Sequence, residues 1–394
     1  MLLGLVGHPN TGKSTFFKAA TLAEVLIADY PFATIKPNEG IGYVKIDCID
    51  REFKVQCNPR TGFCMNGKRF VPVKLMDVAG LVPGAHQGKG LGNQFLDDLR
   101  QADAFIHIID ASGTTDAEGK KTEDYDPAND IKFLEEELDL WFLGLLEKTW
   151  RSFSRKAQAE KIPLHDAIVK QFSGLKINEF QVKSAIRKTG LDAENYSAWN
   201  ADNLLLFAKT LREISKPMII AANKCDIEKG RENLVKLKEQ FPEYLIISCS
   251  ADSELALRQA AKAGMIDYIP GDRDFKIIKE INANQKQALE KIKQNVLDKF
   301  ETGTGVQAVL NEAVFELLKY IAIFPAGVNK LADSKGNILP DCFLLPEGST
   351  ALDFAYAVHT DLGKKFIRAV NAKTKMIIGK DYKLKNRDAL EIIT

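Results

Sequence analysis

With 394 residues, 45% of them hydrophobic and 27% charged, and a net charge of +1, the chain is too long for one ordinary core, so two or three domains are expected. The balance excludes a uniformly basic nucleic-acid binder, and the lack of any apolar run of about 18 residues sets aside a membrane-spanning helix. Six cysteines without a dense framework, and a start that leads from Met1 straight into a strand-like run, point to a reducing cytoplasm rather than secretion.

Short apolar runs at residues 2 to 6, 41 to 46, 71 to 76, 104 to 109, 217 to 222 and 244 to 249 read as strands, several separated by helical patterns. That alternation implies an α/β fold with a mostly parallel sheet. One helix is predicted to begin near Lys13 and another to cover residues 91 to 101. From about 127 to 215 the period turns helical, as Ile131, Leu134, Leu138 and Trp141 show, and this stretch reads as a helical domain inserted into the α/β domain. Trp141, Trp150 and Trp199 are expected to anchor its core. Residues 254 to 323 look helical, Phe324-Pro325-Ala326-Gly327 marks a boundary, and the rest reads as a small β-rich module with one helix at 351 to 359. The expected division is 1–126, 127–215, 216–323 and 324–394.

Charge is unevenly spread. Residues 116 to 139 hold ten acids against Lys120, Lys121 and Lys132, whereas residues 148 to 188 hold ten Lys/Arg against Glu160, Asp166 and Glu179. Residues 364 to 387 carry nine Lys/Arg against Asp381. Solvated helix faces produce such segregation as readily as an RNA-binding surface does.

Gly7-His8-Pro9-Asn10-Thr11-Gly12-Lys13-Ser14 matches G-x-x-x-x-G-K-S between a predicted strand and a predicted helix. Backbone N–H groups of such a loop, here from Asn10 through Thr11, Gly12 and Lys13 to Ser14 and Thr15, surround the phosphates of a nucleotide. Lys13 is expected to reach the β and γ oxygens, and the Ser14 hydroxyl to ligate Mg²⁺. Asp77-Val78-Ala79-Gly80 ends a strand, so Asp77 is placed to serve the Mg²⁺ shell and the Gly80 N–H to bond the γ-phosphate. Thr34 lies between the two motifs, where a first switch loop contributes a hydroxyl to Mg²⁺. Asn223-Lys224-Cys225-Asp226 follows the apolar run Met218 to Ala222. Asp226 would accept two N–H bonds from the guanine edge, Asn223 would brace the loops, and Lys224 would lay its stem over the base. Adenine offers no matching donor pair, so GTP and GDP are the expected ligands. Ser250-Ala251 is expected to complete the base pocket.

These residues resemble the Obg-related translation-factor GTPases, and within them the YchF-type branch with a C-terminal TGS domain. The resemblance runs through Gly7 to Ser14, Tyr30-Pro31-Phe32 to Pro37-Asn38, Asp77 to His86, Gly88-Lys89-Gly90-Leu91-Gly92-Asn93, and Leu345-Pro346-Glu347-Gly348-Ser349-Thr350 to Asp353-Phe354-Ala355. It implies a Ras-like P-loop NTPase domain, an inserted helical domain and a β-grasp TGS module, in a molecular switch acting on the ribosome, rRNA or tRNA. Typical YchF-type proteins lack the aspartate of the fourth motif and look ATP-preferring, whereas this chain keeps Asp226. The segment Cys57 to Cys64 resembles an insertion of an archaeal and fungal side branch.

Leu81 occupies the position where Ras-type enzymes carry the water-orienting glutamine. His86, five residues on, is the alternative catalytic group, although packing or partner contact is an equally open use for it. The resemblance also gives Asn10 a K⁺ ion to ligate beside the phosphates, with capping of its own loop as the plainer role. An ATPase of the same family, or an RNA-binding module whose nucleotide site is structural, are the alternatives. A monomer is favoured. Cys57 and Cys64 exceed the usual spacing of a zinc knuckle, so two ordinary thiols on a surface hairpin are expected there.

Overall fold

The structure is a computed structural model that describes residues 1–21, 38–78, 100–333 and 335–394. In chain order its elements begin with β1 (Leu2–Val6), α1 (Lys13–Thr21), β2 (Glu39–Asp47), β3 (Phe63–Met65), β4 (Lys68–Asp77) and β5 (Ala104–Asp110). Four helices follow: α2 (Ala128–Ala159), α3 (Leu164–Gln171), α4 (Glu179–Thr189) and α5 (Ala201–Ser215). Next come β6 (Met218–Asn223), α6 (Glu228–Gln240), β7 (Ile246–Ser248), α7 (Ala251–Lys262), β8 (Ile266–Asp267), β9 (Lys276–Ile277), α8 (Ala283–Ile292) and α9 (Val306–Glu312). The chain ends with β10 (Tyr320–Pro325), β11 (Phe343–Pro346), α10 (Ala351–Val358), α11 (Thr360–Lys364), β12 (Arg368–Asn371), β13 (Ile377–Ile378) and β14 (Ala389–Ile393).

The chain divides into two compact units, the first made of Met1–Ala19, Pro37–Gly40 and Lys74–Val309, the second of Ala20–Lys36, Ile41–Val73 and Leu310–Thr394. In the first, β1 pairs in parallel with the end of β4 (Leu5 opposite Asp77) and with β5 (Val6 opposite His107). Strand β5 pairs with β6 (Asp110 opposite Asn223), and β6 with β7. Every residue of β1, β5 and β6 is buried, which is why these strands read as continuous apolar runs rather than alternating ones. The carboxyl ends of β1, β4 and β6 carry the motif residues, where ligands of open parallel sheets bind.

Helices α2 to α5 share one core with that sheet: Leu134, Leu138, Trp141 and Phe142 of α2 belong to the same buried cluster as Leu2, Phe105 and Met218. Trp150 stacks on Trp199 at a centroid distance of 5.4 Å, so the tryptophans do pack as anchors. Helices α4, α5 and α8 start on capping boxes, Asn178 with Gln181, Asn200 with Asn203 and Asn282 with Gln285. Although α2 is 32 residues long, no helix among the described residues is long and apolar enough to cross a membrane.

The stretch read from sequence as helical to residue 323 needs correction. It contains the short antiparallel pair β8 and β9, and its last residues form β10. The run Tyr320-Ile321-Ala322-Ile323-Phe324 is apolar throughout, and period alone does not separate a buried strand from a buried helix turn. Within the second unit, β10 pairs antiparallel with β11 and parallel with β14, giving the order β11-β10-β14-β12-β13. Helix α10 buries Ala351 and Phe354 in one core with Ile321 and Ile323 of β10. In the same unit β3 runs antiparallel to β4, Phe63 opposite Phe70. The cysteines also differ from expectation: Cys57 is buried and Cys64 half-buried on β3, the loop before β3 being tied back by Cys48 N–H to Gly67 O and Val55 N–H to Asp50 O.

His107 on β5 is 1% exposed, and its Nδ1 has no hydrogen-bond partner among the described residues. Burial, with His8 nearby, pushes its pKa down to about 3. The unfolded chain, with its histidine near about 6.5, therefore binds a proton that the folded chain refuses. The resulting stability is complete above the unfolded value and is lost as pH falls from there towards the folded one. The urea midpoint of the wild type is expected to drop more steeply between about pH 7.5 and about pH 5 than that of His107→Leu. Parallel pH profiles for the two proteins would refute this assignment.

Candidate functional site

The loop between β1 and α1 is held in a shape that only glycine allows at two points. Gly7 has φ +155°, and a Cβ there would lie 2.3 Å from the Ile108 carbonyl oxygen; Gly12 has φ +94°, and a Cβ would lie 2.1 Å from Asn223 Nδ2. The Thr11 hydroxyl donates to His8 O at 3.1 Å, and Asn10, itself at φ +65°, donates its amide to Gly119 O at 2.8 Å. The loop thus ends on the N-terminus of α1, where unpaired N–H groups favour an anion.

Lys13 Nζ donates to Asp77 Oδ1 and to Val78 O, each at 2.6 Å. The Lys13 side chain is 12% exposed, and its ammonium meets Asp77 and Val78 at the carboxyl end of β4. His8, Asn10, Gly12, Lys13, Ser14, Thr15 and Lys224 line a cleft of about 410 Å³. A second cleft of about 690 Å³, lined by Thr114, Thr115, Gly119 and Lys121 among others, shares Asn10 and Lys224 with the first. Both lie wholly within the first unit.

Asn223 joins this loop to the fourth motif. Its amide donates to Thr11 O at 2.8 Å, and its Oδ1 accepts from the Ala251 N–H at 3.0 Å. Ser250 Oγ donates to Asp226 Oδ1 at 2.9 Å, which aims the half-buried carboxylate, and Ser250 N donates to Thr304 O. Removing the Asn223 side chain leaves a buried carbonyl and a buried N–H without partners. Asn223→Ala is therefore expected to lower stability by roughly 2 to 4 kcal/mol and to weaken nucleotide binding with it. A urea midpoint unchanged from wild type would contradict the bracing role.

Sequence reasoning missed Asp110. It ends β5 beside Asn223 in register, and it accepts from Lys224 Nζ (2.8 Å), from Thr114 and Thr115 hydroxyls (2.9 and 2.7 Å) and from the Ser112 N–H (3.0 Å). Burial pushes its carboxyl up, but hydrogen bonds from Lys224, Ser112 and Thr115 outweigh this and hold it below the usual carboxylate range. Lys224, at φ +62°, is thereby fixed at the boundary of the two clefts. The signal was available in the sequence as an aspartate closing an all-apolar run, followed within five residues by Ser112, Thr114 and Thr115. His8, within the loop, is buried against Phe133, with ring centroids 4.8 Å apart, and lies 3.7 Å from Asp130.

Of the residues singled out from sequence, the structure brings together Asn10, Thr11, Gly12, Lys13, Ser14, Thr15, Asp77, Asn223, Lys224, Asp226, Ser250 and Ala251 on one face of the first unit. Thr34, Gly80 and His86 lie outside the described residues. Asp77, whose carboxylate meets Lys13 Nζ, and Ser14, which lines the same cleft as Lys13, could offer hard oxygen donors of the kind that suit Mg²⁺ rather than a thiophilic ion.

Comparison with known proteins settles which family has this architecture. The model for the 50S ribosome-binding GTPase matches residues 2–138, that for the Obg-like GTPase YGR210-like, G4 motif-containing domain matches 221–327, and that for the TGS domain matches 333–394. An uncharacterized GTP-binding protein of Methanocaldococcus jannaschii is 50% identical, covering 100% of this chain and 99% of the relative. The chain belongs to the Obg-like, YchF-type GTPase family. It is accordingly a GTP-binding protein of that family with a P-loop domain and a C-terminal TGS domain. The crystal structure of a GTP-binding protein from Pyrococcus horikoshii is similar throughout, with a TM-score of 0.81, 42% identity and complete coverage of both chains. The ribosome-binding ATPase YchF of Bacillus subtilis is more distant, 29% identical over 93% of this chain and 87% of its own length.

Proposed function

We propose that this family member hydrolyses GTP to GDP and phosphate as a molecular switch in translation, with Asp226 selecting guanine. The observation that carries the reading is the Asn223 side chain, which ties the phosphate loop at Thr11 to the motif that ends at Asp226. Base recognition and phosphate binding are then parts of one rigid assembly. Lys13 and the N–H groups of residues 10 to 15 hold the phosphates, and Ser14, Asp77 and Thr34 would hold Mg²⁺, which neutralises charge between the β and γ oxygens. Gly80 and Thr34 are the contacts proposed to respond to loss of the γ-phosphate, and His86 the group proposed to position water. Asn10 is the proposed ligand of K⁺. The residues divide, on this proposal, into a GTPase domain at 1–126 and 216–323, a helical insertion at 127–215 and a TGS domain at 324–394.

Ribosomal binding is supported by the description of the matching GTPase model and by the name of the Bacillus subtilis relative, together with the basic stretches 148–188 and 364–387. That relative is named an ATPase, so adenine use is the reading to exclude, and Asp226 is the residue that argues against it. The test is phosphate release from GTP by the full chain with ribosomes present, in K⁺ and in Na⁺, with co-sedimentation under a non-hydrolysable GTP analogue and under GDP. Release stimulated by K⁺ and sedimentation favoured by the analogue are expected. No release under any of these conditions would sink the switch and leave a structural nucleotide site.

A further inference from the structure

A group of side chains in the second unit includes none of the residues that line the two clefts. Strand β2 ends at Asp47, and fifteen residues pass before β3 with only the 3-10 turn Ile49–Arg51 as regular structure. A loop of that length inside a compact unit needs something to hold it. Its apolar content is small, yet Cys48, Asp50 and Cys57 are 2%, 1% and 5% exposed. Cys48 is set in place by its N–H, which donates to Gly67 O in the β3–β4 turn, while Cys64 sits on β3 itself.

The four side chains converge. Cys48 Sγ and Cys57 Sγ are 3.6 Å apart, and Cys64 Sγ is 3.7 Å from Asp50 Oδ2. One ligand atom from each of Cys48, Asp50, Cys57 and Cys64 lies within 4.8 Å of every other. A tetrahedron with metal–sulfur bonds of about 2.3 Å has sulfur–sulfur edges of about 3.8 Å, and a sulfur–oxygen edge is about 3.5 Å. The Cys48–Cys57 sulfur separation of 3.6 Å and the Cys64–Asp50 separation of 3.7 Å are close to those edges, and the other pairs lie within 4.8 Å. They are far from the ~2.05 Å of a disulfide bond. Asp50 Oδ1 is buried with no hydrogen-bond partner among the described residues, an expensive state for a carboxylate unless a cation is near.

We propose that Cys48, Cys57, Cys64 and Asp50 bind one zinc ion in a closed, structural site. Three soft sulfurs and one carboxylate suit Zn²⁺ and exclude Mg²⁺ or Ca²⁺ as the occupant. With all four donors ionised the zinc complex has a net charge of minus two. The guanidinium of Arg69, fully buried in the same unit, offsets part of that charge while it donates to the carbonyls of Leu339 and Pro340 at 3.0 Å. The ion closes the loop that carries Asn58 and Arg60, whose N–H groups donate to Ile338 O and Pro340 O within the second unit. Its role is therefore to fix this loop against the segment that precedes β11, independently of nucleotide. The spacing defeats the usual knuckle pattern because the end of β2 with the 3-10 turn (Cys48, Asp50), the loop (Cys57) and β3 (Cys64) deliver the ligands separately.

The test is the metal content of the full-length, untagged protein by mass spectrometry, with thiol titration of the same sample. About one zinc ion per chain, retained through gel filtration and released when a mercurial reagent blocks the thiols, is expected. Replacement by Co²⁺ should give thiolate-to-cobalt charge-transfer bands and the intense visible absorption of a tetrahedral site. Asp50→Asn and Cys64→Ser should each lose the zinc, while Cys342→Ser keeps it. The cobalt spectrum, taken on wild type, decides the matter should those variants fail to fold. Metal-free protein overturns the proposal, whether all six thiols react in denaturant or two are missing in a Cys48–Cys57 disulfide. Iron in place of zinc, or a Co²⁺ spectrum without thiolate bands, overturns it as well.

Discussion

Lys13→Ala is expected to lower the affinity for Mg·GTP by roughly a hundredfold or more, since a charge-assisted hydrogen bond contributes about 1.5 to 3 kcal/mol and the lysine would make more than one with the β and γ oxygens. A second effect adds to the loss. In the free protein Lys13 neutralises Asp77 at 2.6 Å, so its removal leaves a carboxylate facing an incoming polyphosphate of the same sign. GDP, with one phosphate fewer, should lose less than GTP. Equilibrium binding of both nucleotides, with circular dichroism to check folding, measures this. A decrease below about tenfold for GTP would show that the loop amides and helix terminus hold the phosphates without the lysine.

Asp226→Asn is expected to abolish the preference for guanine. The carboxylate would accept from guanine N1 and the exocyclic amine; an asparagine turns one acceptor into a donor, which faces a donor. The loss for GTP should be about a hundredfold or more, because a buried polar pair is left mismatched. Xanthosine triphosphate, which carries a carbonyl where guanine carries the amine, should gain affinity in the same variant. Ser250, which donates to Asp226 Oδ1 at 2.9 Å, can still hold the asparagine carbonyl, so the fold and the phosphate contacts stay intact. Unchanged GTP binding would place the base elsewhere.

Much of this site was legible because its chemistry is local. A phosphate loop needs glycine where the backbone bends or a neighbour approaches, and Gly7 and Gly12 meet Ile108 and Asn223 closely enough to forbid any side chain. The all-buried strands were legible for the same reason, each being a continuous apolar run bounded by polar residues. Asp110 was not, because its role depends on β5 and β6 lying side by side, which places it next to Asn223 and within reach of Lys224. The strand character of β10 was hidden by an apolar run that serves either secondary structure. The cysteine cluster was hidden by tertiary assembly, since three separate segments supply its members. Family resemblance pointed to the YchF-type branch and its TGS domain, and the comparisons bear both out.

The account stands on the proposal that the Asp226 carboxylate distinguishes guanine from adenine. Calorimetric titration of the unmodified chain with Mg·GTP and with Mg·ATP under identical conditions measures that most directly. GTP should bind at least about a hundredfold more tightly than ATP, the size of discrimination a matched buried hydrogen-bond pair gives. Equal affinities, or a preference for ATP, would contradict the role given to Asp226 and with it the guanine switch.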